Sequence, residues 1–434
     1  MALSRRGQKT LPFLEDIGEY VEPPVYFPSL GRGPPTADVI NLATAENWLL
    51  RDRLLPKFKA YISNSFTISD LSYVSGFGGA PALLQGLADF FNDNFHPITQ
   101  VVPDQIVTAP GASHLLDSVL YDLCNEGTAV LIQTPYWPGF DEALTLRNRL
   151  VATHVNVPFD DLNTNFFGPG IVGAYQHALN TSTEPVQALI ICNPHNPIGG
   201  CYPVETLEEL LKFAQRNDLH VVVDELYGLS VFDTKDTFHS VLSIDLARLR
   251  VDPWRVHVVY SFSKDLNSSG IRLGVFVTQD NHTLRDAIAA QQQSKLSAFT
   301  SVAATQLLQD TLFLKDIVAS NPGLLQSNFN VALSFLRFYF VPFILPTAGV
   351  FVFAKFLITG GTVEEEQALE KNFSDHGVRI NGGTHLHSSI PGYFRLIFAV
   401  ERETLINGLH RIEATLGWSG WTPPSQVAIT ASSS

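Results

Sequence analysis

The chain has 434 residues, 45% hydrophobic and 16% charged side chains and a formal net charge of −14, an ordinary globular composition with enough apolar content for one large or two medium domains. That acidic balance excludes the clustered basic surface nucleic-acid binding needs, and the three irregularly spaced cysteines (Cys124, Cys192, Cys201) exclude a disulfide framework or a metal site. No apolar run approaches a membrane span and no apolar stretch follows the charged residues 1–10, so a cytoplasmic protein with no membrane partner is expected.

Thirty Phe, 26 Pro and 30 Gly against a single Met indicate many strand-to-loop transitions and a core of aromatic and branched side chains. In chain order, the first forty or so residues are rich in proline and glycine (Pro23, Pro24, Pro28, Gly31, Gly33, Pro34, Pro35) and read as an irregular arm of the kind that reaches a partner subunit. Apolar runs of strand length at 105–108, 128–133, 187–192, 220–223 and 256–260 then alternate with helical stretches. This is the βαβ signature of a mainly parallel sheet covered on both faces. A helical segment over 281–314 leads to strands at 349–356 and 393–400, a second and smaller α+β region. The division expected is an arm with part of a small domain over 1–48, a large domain over 49–315, a small domain over 316–421 and a disordered tail over 422–434.

In open parallel sheets ligands sit at the carboxyl ends of the strands, and polar residues follow each apolar run. Gly111-Ala112-Ser113-His114 opens an apolar helix whose backbone N–H groups can approach an anion. In Pro135-Tyr136-Trp137-Pro138-Gly139-Phe140, Trp137 is the ring to stack on a flat cofactor and Tyr136 reads as packing. Asn193-Pro194-His195-Asn196-Pro197-Ile198-Gly199-Gly200 is a stiff loop able to aim the Asn196 amide. Asp224-Glu225-Leu226-Tyr227 ends a run of valines, where a carboxylate needs a cationic partner such as a protonated pyridine nitrogen. Asp224 is that candidate; Glu225 reads as packing or capping, and Tyr227 as a donor to a phenolic oxygen. In Ser261-Phe262-Ser263-Lys264, the lysine follows an apolar strand, so partial desolvation favours the neutral amine that attacks an aldehyde. Ser261, Ser263 and Arg272 supply phosphate donors. Pro391-Gly392-Tyr393-Phe394-Arg395 sets one guanidinium in an apolar strand, for an internal or a substrate carboxylate, the latter preferred beside the other motifs. Singly, each motif is commoner as a plain turn, cap or ion pair.

Together these segments, with Ala45-Glu46-Asn47 and Gly79-Ala80-Pro81, resemble the fold-type I pyridoxal 5′-phosphate (PLP) enzymes of the class I/II aminotransferase superfamily, specifically its 1-aminocyclopropane-1-carboxylate (ACC) synthase-like branch. The resemblance implies an α/β PLP-dependent transferase fold, with a mainly parallel seven-stranded sheet in the large domain and a smaller α+β domain. It implies PLP held by Lys264, which also serves as general base, with Asp224 on the pyridine nitrogen, Asn196 and Tyr227 on the phenolic oxygen, and Trp137 on the ring face. Ala112, Ser113, Ser261, Ser263 and Arg272 would hold the phosphate; Arg395, with Glu46 and Asn196, would hold an amino-acid substrate. No metal is implied. A homodimer with active sites at the subunit interface is. One departure is Phe77, which stands where the family commonly has a tyrosine reaching the partner's cofactor.

After Lys264 removes the substrate's α-proton, three outcomes are open: transamination, β-elimination of a sulfur substituent, or γ-displacement giving ACC from S-adenosylmethionine. The first two are preferred, because the tyrosine is missing and because relatives in fungal biosynthetic pathways include carbon–sulfur lyases, which is an analogy. A non-catalytic interaction subunit is the alternative of another class, against which the complete set of site residues speaks.

Overall fold

The apolar runs fold as strands within a residue or two of their predicted places, in a computed structural model that describes residues 39–73, 76–159 and 166–425. The expected N-terminal arm as far as residue 38, and the tail from 426, lie outside the described residues. In chain order, β1 (Ile40–Asn41) precedes α1 (Arg51–Ser65) and α2 (Pro81–Asn94). Then come β2 (Ile106–Ala109), α3 (Ala112–Leu123), β3 (Ala129–Thr134), β4 (Val151–Asn156), α4 (Val172–Thr181), β5 (Val186–Cys192), α5 (Val204–Arg216) and β6 (His220–Asp224). β7 (Val256–Ser261) and β8 (Gly274–Val277) lead to α6 (His282–Gln292), α7 (Ala298–Gln309) and α8 (Thr311–Phe338). The chain continues through β9 (Phe343–Ile344), β10 (Phe351–Lys355), α9 (Val363–Asp375), β11 (Val378–Arg379), β12 (Asn381–Gly382), β13 (Tyr393–Ile397) and α10 (Arg402–Thr415). The helical segment predicted over 281–314 is broken where Ser294 takes a left-handed backbone (φ 61°) and again where the Asp310 side chain caps α8.

A seven-stranded sheet has the order β2-β8-β7-β6-β5-β3-β4. β4, β3, β5, β6 and β7 pair in parallel, and β8 runs against both its neighbours. Residues of one strand alternate between two cores, as the period of a pleated strand requires. Ile190, Val222 and Val259 pack on one face, and Leu189, Ile191, Val221, Val223, Val258 and Tyr260 on the other. Burial on both faces explains why these strands read as continuous apolar runs, and each side chain of leucine size so buried contributes about 1.5–3 kcal/mol.

A four-stranded sheet, β12-β13-β10-β9, forms from the C-terminal region, with Phe353 of β10 opposite Arg395 of β13. Its Phe351, Val352, Phe394 and Leu396 join the core on the first face of the large sheet. Residues 40–42 are tied to this region: β1 pairs with β11, Leu42 N donates to Arg379 O at 2.8 Å and Ile397 N to Leu42 O at 2.9 Å. The chain then crosses toward α1, so residues 43–50 lie between the β13 region and the large sheet. Cys124, Cys192 and Cys201 are buried free thiols, and among the described residues no helix is long and apolar enough to cross a membrane.

Candidate active site

Lys264 follows the carboxyl end of β7, half-buried, and burial pulls its amine down to about 8; the charges that act on it are Glu46, Arg395, Asp224 and Arg272. Glu46 and Arg395, from opposite ends of the chain, thus act on the same amine as the nearer Asp224 and Arg272. The amine donates to Ala45 O at 2.5 Å. Its neighbour Asp265 is buried and accepts from Ser230 Oγ at 2.6 Å and Leu229 N at 2.9 Å, which locks the turn that carries the lysine.

Asp224 ends β6 at 4% exposure. Burial pushes its carboxyl up to about 7, against a hydrogen bond from Leu226 N and the charge of Lys264. Asn193 N donates to Asp224 O at 2.9 Å, anchoring the Asn193–Gly200 loop beside it. In that loop Gly199 has φ +79° and a Cβ there would lie 2.7 Å from Pro346, so the turn closes against the C-terminal region only with glycine. Asn196 Oδ1 accepts from Arg395 Nη1 at 3.0 Å, and Arg395 Nη2 donates to Ala43 O at 2.8 Å. The guanidinium predicted for a carboxylate therefore meets two neutral oxygens here and lies over the Phe351 ring at 5.7 Å. Tyr227 is buried with its ring edge-on to Phe351 (5.4 Å, 85°), and Trp137 meets Phe140 edge-on at 5.6 Å. A Cβ on Gly139 would fall 2.2 Å from the indole, so that glycine makes room for it.

The predicted phosphate residues converge at the start of α3. The first-turn N–H groups of Ala112 and Ser113 have no acceptor within their own helix, and Gly111 precedes them with φ +98°. A Cβ on Gly111 would sit 2.1 Å from Arg272 Nη2, and Arg272 donates to Pro110 O at 3.3 Å and Ser269 O at 2.8 Å. Ser261 Oγ and Ser263 Oγ are 2.6 Å apart. PLP fits these residues: the glycine-floored cradle suits its phosphate, and the buried Asp224 carboxyl suits a protonated ring nitrogen that would hold it ionised.

Glu46 is engaged: it pairs with Arg51 at 3.2 Å and accepts from Trp48 Nε1 at 3.2 Å and from Ser269 Oγ. Arg51, Asp265 and Asn267 escape sequence reasoning. Asn267 Oδ1 accepts from Leu50 N at 3.1 Å, a contact across more than two hundred residues that no local spacing signals. Glu225, read as packing or capping, accepts from Ser240 Oγ and Val241 N at 2.7 Å each. Phe77 is half-exposed; its carbonyl accepts from Arg285 Nη2 at 2.9 Å and its ring lies under that guanidinium.

The doubly covered, mainly parallel sheet, with a lysine, an aspartate and a glycine-preceded helix N-terminus at its carboxyl edge, has the architecture of PLP-dependent proteins of fold type I. The profile of the aminotransferase class I and II family matches residues 37–412, and the chain belongs to that family. "Probable aminotransferase gliI" of Aspergillus fumigatus is 40% identical over 88% of this chain and 91% of its own length. "Probable inactive 1-aminocyclopropane-1-carboxylate synthase-like protein 2" of Mus musculus is 32% identical over 83% of this chain and 63% of its own length. Among solved structures, a double mutant of Thermus thermophilus aspartate aminotransferase shares the fold, with a TM-score of 0.74 and 20% identity over 96% of this chain and 100% of its own.

Proposed function

We propose that this chain is a PLP-dependent enzyme acting at the α-carbon of an amino acid or amino-acid conjugate, with transamination as its reaction. The observation that carries the reading is that residues 43–45 join the Lys264 amine, on Ala45 O at 2.5 Å, to the Arg395 guanidinium, on Ala43 O at 2.8 Å and Asn196 Oδ1 at 3.0 Å. Bound PLP supplies an electron sink for the carbanion formed at the substrate's Cα. Lys264 Nζ would hold the cofactor, then take the proton from Cα and deliver it to the cofactor's former aldehyde carbon rather than back to Cα. Asp224 would keep a proton on the ring nitrogen, Tyr227 and Asn196 would bond the phenolic oxygen, and Trp137 would cover the ring. Ala112, Ser113, Ser261, Ser263 and Arg272 would hold the phosphate, and Arg395 would exchange a neutral acceptor for the substrate's α-carboxylate, a stronger charge-assisted bond.

Transamination is favoured because the fungal relative bears the name aminotransferase. β-Elimination from a cysteine conjugate in fungal secondary metabolism is the second reading; it would use the same residues and part from transamination after Cα proton removal, when the sulfur substituent leaves Cβ instead of a proton being added to the cofactor. ACC formation has Glu46 in its favour, but that carboxylate is already paired with Arg51. The division at residues 49–315 and 316–421, a homodimer with shared sites, and Phe77 at the partner-facing position belong to the same proposal. Exposed Ile68, Leu71 and Tyr73, beside Phe299 stacked on Phe66 at 4.3 Å, offer the apolar surface a second copy would cover. Product analysis discriminates the reactions: keto acid without ammonia means transamination, pyruvate with ammonia means β-elimination, and ACC from S-adenosylmethionine means γ-displacement. Binding of PLP without any turnover of amino acids would leave the non-catalytic reading standing.

A further inference from the structure

Residues 43–46 pass between the two groups proposed to grip a substrate: Arg395 Nη2 holds Ala43 O at 2.8 Å, and Lys264 Nζ holds Ala45 O at 2.5 Å. A substrate with its α-carboxylate on Arg395 and its Cα at Lys264 would span this segment, and on this reading its side chain would lie beside it. Glu46 is the acidic residue there, and it acts on the Lys264 amine. Alone, that carboxylate would favour a cationic side chain. It is not alone, because Arg51 Nη2 lies 3.2 Å from Glu46 Oε2, with both side chains mostly covered, at 26% and 18% exposure. Arg51 has little freedom to leave: it donates to Asn267 O at 3.3 Å and Ser269 Oγ at 3.2 Å, and its guanidinium lies over the Trp48 ring at 3.9 Å. A largely covered pair is screened by solvent less than a surface pair, so its net charge is felt nearby.

We propose that Arg51 is a specificity-determining residue: by neutralising Glu46 it leaves the side-chain end of the site uncharged, so that the enzyme takes amino acids with neutral side chains and gives cationic ones no advantage. This rests on the proposed roles of Lys264 and Arg395.

The test uses the PLP-loaded full chain and two nearly isosteric probes, L-methionine and its cationic S-methyl derivative, whose Kd values are read from the change in visible absorbance on binding. Wild type should bind L-methionine at least as well as S-methyl-L-methionine. R51Q uncovers Glu46 and should move the ratio about five- to tenfold toward the cation, and should raise the pH midpoint of the visible band, because an uncompensated negative charge then lies near Lys264. E46Q uncovers Arg51 instead and should move both readouts the other way, which keeps the test open if R51Q does not fold. The double variant E46Q/R51Q should return both toward wild type. An intact band with an unchanged ratio in either single variant overturns the inference alone. A wild-type chain that forms no band with PLP overturns the reading of Lys264, and the inference with it.

Discussion

The reactivity proposed for Lys264 would come from its surroundings. Burial lowers its amine from 10.5 to about 8, and only the deprotonated amine attacks an aldehyde. The rate of PLP loading onto the apo chain should therefore rise with pH and level off above about 8, as followed by the growth of visible absorbance at fixed PLP. A midpoint near 10.5 would mean the amine is solvated. Lys264→Ala should remove turnover by a factor on the order of 10²–10⁴, the usual share of a positioned acid–base group. Arg395→Lys loses the planar fork that meets a carboxylate and should raise KM by roughly 10–100-fold, in steady-state kinetics on the substrate that product analysis identifies. The places of Lys264, Asp224 and Arg395 were legible in the sequence because Asp224 ends an apolar strand, Arg395 interrupts one and Lys264 closely follows one. Arg51 and Asp265 were not, since what defines them is a partner elsewhere in the chain: Asn267 O and Ser269 Oγ for one, Ser230 for the other.

At the scale of elements, the proposed phosphate cradle depends on one backbone conformation. Gly111 combines φ +98° with a Cβ position 2.1 Å from the Arg272 guanidinium. Gly111→Ala should both strain the turn, by about 1–3 kcal/mol, and displace Arg272, so PLP affinity by fluorescence titration should fall more than the Tm of the apo chain. The carboxyl ends of β6 and β7 make a second prediction. Buried Asp224 and Asp265 are held up near about 7 and Glu225 near about 8. Carboxyls raised above their unfolded values stabilise the fold at low pH and lose that contribution as pH rises through the folded values. The Tm of the apo chain should accordingly fall between roughly pH 4 and pH 8. In Asp224→Asn, and in the PLP-loaded chain where a ring cation meets Asp224, the fall should be smaller. Five strands of the large sheet, β2, β3, β5, β6 and β7, were predictable because burial on both faces writes them as apolar runs; β4, mostly exposed along its length, and the short β8 were not. The break at Ser294 was not, because a left-handed serine carries no composition signal.

Across the whole molecule, the fold brings residue 46 to residue 264 and residue 395 to residue 196, and the order of motifs along the chain foretold that gathering without supplying its geometry. The exposed apolar surface around Ile68, Leu71 and Tyr73 predicts a dimer by sedimentation and, for the double variant Ile68→Asp with Leu71→Asp, a shift toward monomer. The most direct test of the central claim is to load the chain with PLP, reduce it with borohydride so that the cofactor is fixed where it was bound, and locate the pyridoxyl group by peptide mass spectrometry. The structure predicts a single modified residue, Lys264, and no stoichiometric modification in Lys264→Ala. A pyridoxyl group on another lysine, or on none, would contradict the assignment of this site.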